Sequence, residues 1–162
     1  MRVGLVSDTH DHVLRIRESA SILNRSGVEL VIHAGDYCSP FAVRELERFE
    51  APIHGITGNN DGDLFQIQHA FAEIGARLES QWWETDLAGR RALVMHEPRG
   101  VMDVAAGGTY DLIVFGHTHE RDERRIGETL IVNPGEVCGW LGGIGSLAIY
   151  DTEAHDVTFH EF

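Results

Sequence analysis

The sequence predicts an α/β protein whose first half forms a parallel sheet. Short apolar runs of strand length alternate with segments of helical periodicity, and three of those runs end in loops rich in Asp, Asn, His and Gly. The second half places strand-like runs among Gly- and Pro-rich turns, which predicts a more antiparallel sheet.

The elements follow in chain order. Val3–Val6 is apolar and β-branched, and it ends at Ser7-Asp8-Thr9-His10. Val13, Ile16, Ala20, Ile22 and Leu23 then recur at helical spacing, with Gly27 as the helix stop. Leu30–Ile32 is a second strand, ending at His33-Ala34-Gly35-Asp36. Pro40 opens a helix running to about Phe49, with Phe41, Leu46 and Phe49 as its apolar members. Ile53–Ile56 is a third strand, ending at Thr57-Gly58-Asn59-Asn60-Asp61. A helical stretch lies near Leu64–Ile74. Trp82–Leu87 and Arg90–His96 read as strands joined by an Ala88-Gly89 turn, and Val101–Ala106 as a short helix. Asp111–Phe115 is a buried strand ending at Gly116-His117-Thr118-His119, and Thr129–Val132, Leu147–Tyr150 and Val157–Phe159 complete the strands. No linker, repeat or low-complexity tract interrupts the chain, so residues 1–162 read as one domain.

Composition narrows the function. The chain has 162 residues and a formal net charge of −13, with 13 basic residues, all arginine. Such acidity argues against a broad nucleic-acid surface or an anionic-membrane footprint. It leaves a small phosphorylated substrate open, because divalent cations reverse the field inside a cleft. The N-terminal stretch turns polar at Ser7, unlike a signal peptide, and no segment reaches the length of a membrane span. Cys38 and Cys138 follow no zinc or redox spacing and read as reduced, partly buried thiols. A cytoplasmic location is the expectation.

Taken singly, the polar loops say little. An Asp after a strand caps a helix, and Gly-Asp or Gly-Asn-Asn-Asp-Gly makes a tight turn. Gly116-His117-Thr118-His119 says more, since histidines at i and i+2 share one side of an extended segment. Together, five such clusters each follow a predicted strand, and strand ends of an α/β sheet converge on one cleft. The candidate ligands are Asp8, His10, Asp36, Asn59, His96, His117 and His119. Seven exceed one tetrahedral ion and suit two ions sharing a carboxylate. Without cysteine among them, the set favours Mn, Fe, Ni or Zn in a reactive site. Two such ions hold a hydroxide between them and clamp the oxygens of a phosphoryl group.

Asp8-x-His10, Gly35-Asp36, Gly58-Asn59-Asn60-Asp61, His96 and Gly116-His117-Thr118-His119, in that order, resemble the calcineurin-like metallophosphoesterases. More narrowly, the pattern is similar to their small YfcE-type phosphodiesterases, and Asn133-Pro134-Gly135 after a strand is typical of that branch. The resemblance implies a four-layer α/β/β/α sandwich of two mixed sheets flanked by helices. It implies that Asp8, His10, Asp36 and His119 hold one metal and that Asp36, Asn59, His96 and His117 hold the other, with Asp36 bridging. It further implies manganese-supported hydrolysis of small phosphodiesters, with Asn60 and Asp61 as catalytic positions and Asn59 and Asn60 at the substrate. The alternative is a catalytically weak protein-binding scaffold like the retromer subunit Vps29, which shares the fold with an altered metal site.

Three positions depart from the family pattern. Asn60 stands where many relatives have a histidine, and an amide supplies no proton at neutral pH. Glu97-Pro98 follows His96 where Gly-His is common. Glu136 stands where a small serine is common, and its charge would repel a phosphate unless the side chain points away. Arg99 reads as a compensating phosphate contact or as an exposed surface arginine. His33 reads as a support for the ligands or as a satisfied core histidine. His12, His54, His69, His155 and His160 read as surface or packing residues. Trp82 and Trp83 read as core or dimer contacts, and Trp140 and Leu141 as exposed apolar groups that would suit a homodimer.

Overall fold

The computed structural model describes residues 1–162. Its strands are β1 (Arg2–Val6), β2 (Leu30–His33), β3 (Ile53–Ile56), β4 (Arg77–Glu79), β5 (Trp82–Leu87), β6 (Arg90–Met95), β7 (Leu112–Val114), β8 (Arg121–Ile126), β9 (Thr129–Pro134), β10 (Ser146–Asp151) and β11 (Asp156–Glu161). The helices are α1 (Val13–Ser26), α2 (Pro40–Glu45), α3 (Leu64–Glu73) and α4 (Val101–Ala106). A 3-10 turn, Leu46–Arg48, follows α2.

Two mixed sheets stack face to face. The first has the order β11-β10-β1-β2-β3-β4, and the second β5-β6-β7-β9-β8. Both have a parallel centre with antiparallel strands at their margins. In the first, β1 to β4 pair in parallel while β10 pairs antiparallel with β1. In the second, β6-β7 and β7-β9 are parallel, and β5 and β8 are antiparallel edges. The second half of the chain thus supplies a sheet with as many antiparallel as parallel pairs, more antiparallel than the run of β1 to β4. Its last hairpin, β10-β11, crosses back and extends the first sheet.

The alternation of side chains explains the layering. On the second sheet, Ala92, Val94, Leu112, Val114, Leu130 and Val132 face the first sheet. Their neighbours Leu93, Met95, Ile113 and Ile131 face α4 through Val101 and Ala105. On the first sheet, Val3, Leu5 and Ile32 face inward, while Val6 and Val31 pack under Ile16, Leu23 and Phe71 of α1 and α3. A period of two places each strand between two apolar layers, so these strands read as continuous hydrophobic runs. The result is the four-layer α/β/β/α sandwich. No helix is long and apolar enough to cross a membrane.

The helices end as their sequences dictate. Gly27 closes α1 in the left-handed region, and its N–H bonds the Asn24 carbonyl. His12 caps the start of α1 by accepting from the Arg15 N–H, and its ring stacks on Trp140 at 4.4 Å. His54 lies on the buried face of β3 and stacks on Trp83 at 3.5 Å, so that pair is packing, as expected. Trp82, its neighbour, is instead 63% exposed. Trp140 and Leu141 are exposed as well, at 62% and 77%.

Candidate metal centre

The parallel strands β1, β2, β3, β6 and β7 all run toward one edge of the sandwich, and the polar loops meet there. The turns are sharp. Asp8, His10, Asp36, His117 and His119 all have positive φ, at 54°, 37°, 63°, 69° and 62°. Such conformations cost non-glycine residues roughly 1–3 kcal/mol each and concentrate at functional sites. Two motif glycines are required by close approach. A Cβ on Gly58 would lie 2.2 Å from Asp36 Oδ1, and one on Gly116 would lie 2.0 Å from Ser7 Oγ.

These turns bring all seven expected ligands together. His10 Nε2 lies 3.7 Å from Asp8 Oδ1, 3.5 Å from Asp36 Oδ2 and 3.2 Å from His119 Nε2. His119 Nε2 is 3.5 Å from Asp8 Oδ1. Across Asp36, His96 Nε2 lies 3.3 Å from the same Oδ2 and 2.9 Å from Asn59 Oδ1, which is 2.7 Å from His117 Nδ1. Asp36 Oδ2 thus stands between two donor groups. Asp8, His10 and His119 form one cluster with ligand-atom spacing, and Asp8, Asp36 and His96 form another.

The donors fit divalent ions. Asp8 Oδ1 is buried and has no hydrogen-bond partner, a state that is costly for a carboxylate without a cation. His96 Nδ1 donates to the Ala34 carbonyl at 2.7 Å, which leaves the Nε2 lone pair facing Asp36. His119 Nδ1 donates to Glu136 Oε2 at 2.8 Å, which leaves its Nε2 lone pair facing Asp8.

Charge within the cluster is correspondingly biased. Burial pushes the Asp36 carboxyl upward, but His96 and the two bonds from Asn60 outweigh it and hold it well below the usual carboxylate range. The nearby carboxylate of Asp8, with that of Asp36, outweighs burial and raises His10. Burial lowers His96, but Asp36 opposes this and wins, so it too is raised. Without a cation, these imidazoles would take protons to balance the carboxylates.

Other expected residues take different places. Asn60 is bound to Asp36, donating through its backbone N–H to Oδ1 at 2.8 Å and through its side-chain amide to Oδ2 at 2.9 Å. Asp61, expected among the catalytic groups, accepts from the backbone N–H groups of Gly58, Tyr37 and Cys38 at 2.6, 2.7 and 3.0 Å. Both its oxygens are engaged, so it ties the β2 and β3 loops together. Arg99 is 89% exposed and pairs with Glu97 at 2.7 Å. It lines a cleft that opens from Asn59 and His96.

His33 is a satisfied buried histidine and also a support. Its Nδ1 accepts from the Gly35 N–H at 3.2 Å, so its Nε2 donates to Thr9 Oγ1 at 3.2 Å. Thr9 in turn donates to the Asp36 carbonyl at 3.4 Å. Burial first, then the charge of His96, lowers the His33 pKa to about 3.

Glu136 is the residue whose place the sequence reading missed. It is buried and turned away from the cleft. Besides His119, it accepts from the Cys138 thiol at 3.1 Å, the Leu141 N–H at 3.0 Å and the Gly142 N–H at 2.5 Å. Burial raises its carboxyl, but the Gly142 N–H, the thiol and His119 hold it down at about 2. Its position directly after Asn133-Pro134-Gly135 was a signal, but its direction was not legible.

This arrangement, on this fold, defines a metallophosphoesterase. The calcineurin-like phosphoesterase superfamily domain matches residues 1–155, and the chain belongs to that superfamily and is a phosphoesterase. It is 36% identical over 156 residues to a protein named phosphodiesterase MJ0936 from Methanocaldococcus jannaschii, covering 94% of each chain. It is 32% identical to a probable metallophosphoesterase from Methanothermobacter thermautotrophicus, covering 83% of this chain and 76% of that one. Among solved structures, one described as a novel archaeal phosphodiesterase superposes with a TM-score of 0.93 at 34% identity, covering 100% of both chains. YfcE from E. coli, at 17% identity and a TM-score of 0.72, covers 100% of this chain and 98% of its own. Vps29 from Entamoeba histolytica, at 17% and 0.70, covers 99% and 91%. These last two share the fold.

Proposed function

We propose that this chain is a two-metal-dependent phosphodiesterase for small phosphodiesters, with residues 1–162 acting as one catalytic unit. The observation that carries the reading is the complete donor set around the unpartnered Asp8 Oδ1. Asp8, His10, Asp36 and His119 would hold one ion, and Asp36, Asn59, His96 and His117 the other, with Asp36 common to both. Bound there, the two ions would supply an activated water and electrophilic stabilisation of the phosphoryl oxygens. Imidazole, carboxylate and amide donors without thiolate suit Mn, Ni, Fe or Zn, and the family resemblance puts manganese first among them. The 36% identical relative, named a phosphodiesterase, supports the diester over the monoester.

The chain's own groups prepare this site. Asn60 fixes both oxygens of Asp36, and its amide could donate to a substrate bound there but cannot protonate a leaving group. Arg99, long and exposed at the cleft mouth, is free to swing from Glu97 to a phosphate oxygen. Asp61 sets the loop that carries Asn59 and Asn60. Two free thiols suit the reducing cytoplasm.

The test is hydrolysis of bis-p-nitrophenyl phosphate against p-nitrophenyl phosphate, after chelation and readdition of Mn, Ni, Zn or Mg. Turnover should require readdition and favour the diester, and Asp36→Asn should lower it at least about a hundredfold. Full activity in metal-free protein would end this reading. Asn60→His should raise turnover of diesters with poor leaving groups. No gain there would mean that proton donation is not what limits them.

A further inference from the structure

The cleft of about 490 Å³ beside the metal centre is lined at one end by Asn59 and His96, and it extends between the loops after β3 and β6 as far as α4. One wall is Trp82, which pairs with Met95 across the β5-β6 hairpin and so stands one register step from His96. The indole is 63% exposed although its neighbour Trp83 is packed on His54. The hairpin therefore has its aromatic anchor without Trp82. Met95 and Val104 make the cleft apolar behind the indole, while Thr57, Gln81 and Arg99 supply hydrogen-bonding groups around it.

We propose that Trp82 is the platform of a substrate subsite and that the substrate is a phosphodiester with one nucleoside arm. The inference rests on the phosphodiesterase reading above. A flat π face beside a carboxamide and a hydroxyl suits a planar ring with polar edges, which describes a nucleobase. The volume falls in the range of a site for one small molecule. Charge limits the length of the ligand. The net charge is −13, and the cleft has a single guanidinium, that of Arg99, so it takes a single phosphodiester and has no track for a polynucleotide backbone. The ring on Trp82 and the phosphorus at the metal centre are then held by two ends of one cleft.

The test uses the metal-loaded enzyme and two substrates with the same leaving group, the p-nitrophenyl ester of thymidine 5′-phosphate and methyl p-nitrophenyl phosphate. The wild type should favour the nucleoside substrate in kcat/KM by about tenfold or more, mainly through KM, as one base–aromatic stack provides. Trp82→Ala should bring that ratio to near one, and Trp82→Phe should keep most of it, with metal content measured for each variant. Equal kcat/KM in the wild type, or a ratio unmoved by Trp82→Ala, would overturn the subsite. If wild type with two bound metals turned over neither substrate, the phosphodiesterase reading would fail. Calorimetric titration with thymidine 5′-monophosphate against methyl phosphate would then decide the subsite independently. Tighter nucleotide binding, lost in Trp82→Ala, supports it, and equal binding overturns it.

Discussion

At the scale of single residues, the candidate centre is held in place by side chains outside the donor set itself. Glu136 is the clearest. Its oxygens hold the Nδ1–H of His119, the Cys138 thiol and the N–H groups of Leu141 and Gly142. It therefore fixes the tautomer and ring plane of His119, a candidate ligand, and couples them to the loop carrying Trp140. A carboxylate on the distal nitrogen also makes the imidazole a better donor, and losing such a partner costs about 10–100-fold in metal affinity. Glu136→Ala should weaken binding by that factor at the ion held by Asp8, His10 and His119, as read by calorimetry with manganese. Glu136→Gln, which can still accept from Nδ1–H, should recover part of it. Equal affinities in all three proteins would reduce Glu136 to a loop anchor. The charge expected to repel substrate is thus spent inside the protein.

At the scale of elements, what the sequence made legible were the strands buried on both faces. β1, β2, β3, β6, β7 and β9 are apolar runs because each lies between two cores. Two of the four edge strands, β4 and β8, were not legible. β4 is three residues long, and β8 reads Arg-Asp-Glu-Arg-Arg-Ile, with four of its six residues exposed. Neither buries enough surface to leave a periodic signal, and charge on an edge strand keeps it from pairing with other chains. The pairing of β10 with β1 escaped because it joins opposite ends of the chain. For the site, each loop's residue types named the candidate ligands, while the supporting bonds through Thr9, Ala34 and Glu136 depend on side-chain direction.

The strand β3 also carries a pH dependence. His54 is buried against Trp83, and burial lowers its pKa from 6.5, with Glu79 at 3.4 Å opposing. The folded state then prefers the neutral ring, while the unfolded chain takes a proton near 6.5. Stability from His54 is present above that pH and is lost as pH falls below it. His54→Phe cannot titrate, so wild type should lose stability relative to it between about pH 8 and about pH 5 in urea unfolding. A constant difference between the two proteins would show that His54 does not titrate across folding.

At the scale of the whole molecule, the candidate ligands come from both sheets. Asp8, His10, Asp36 and Asn59 follow strands of the first, and His96, His117 and His119 follow strands of the second. Divalent ions at this edge would therefore clamp the two sheets together. They would also offset the unpartnered charge of Asp8 and the left-handed turns of five ligand residues. Because an unfolded chain does not hold these seven residues in place, binding adds to folding stability by RT ln(1 + [L]/Kd), about 2.7 kcal/mol at a hundred times Kd. For a chain of this length, 1 kcal/mol shifts Tm by about 2–4 °C. With two ions each at that excess, manganese should raise the Tm of chelated protein by roughly 10–20 °C. Asp36→Asn, which alters the carboxylate proposed to be common to both ions, should lose most of that rise. The expectation concerns the difference between loaded and chelated forms, so any destabilisation by the substitution itself cancels. A full rise in Asp36→Asn would mean that Asp36 is not shared between two ions, and no rise in wild type with metal bound would mean that the unfolded chain binds the metal as tightly as the folded one.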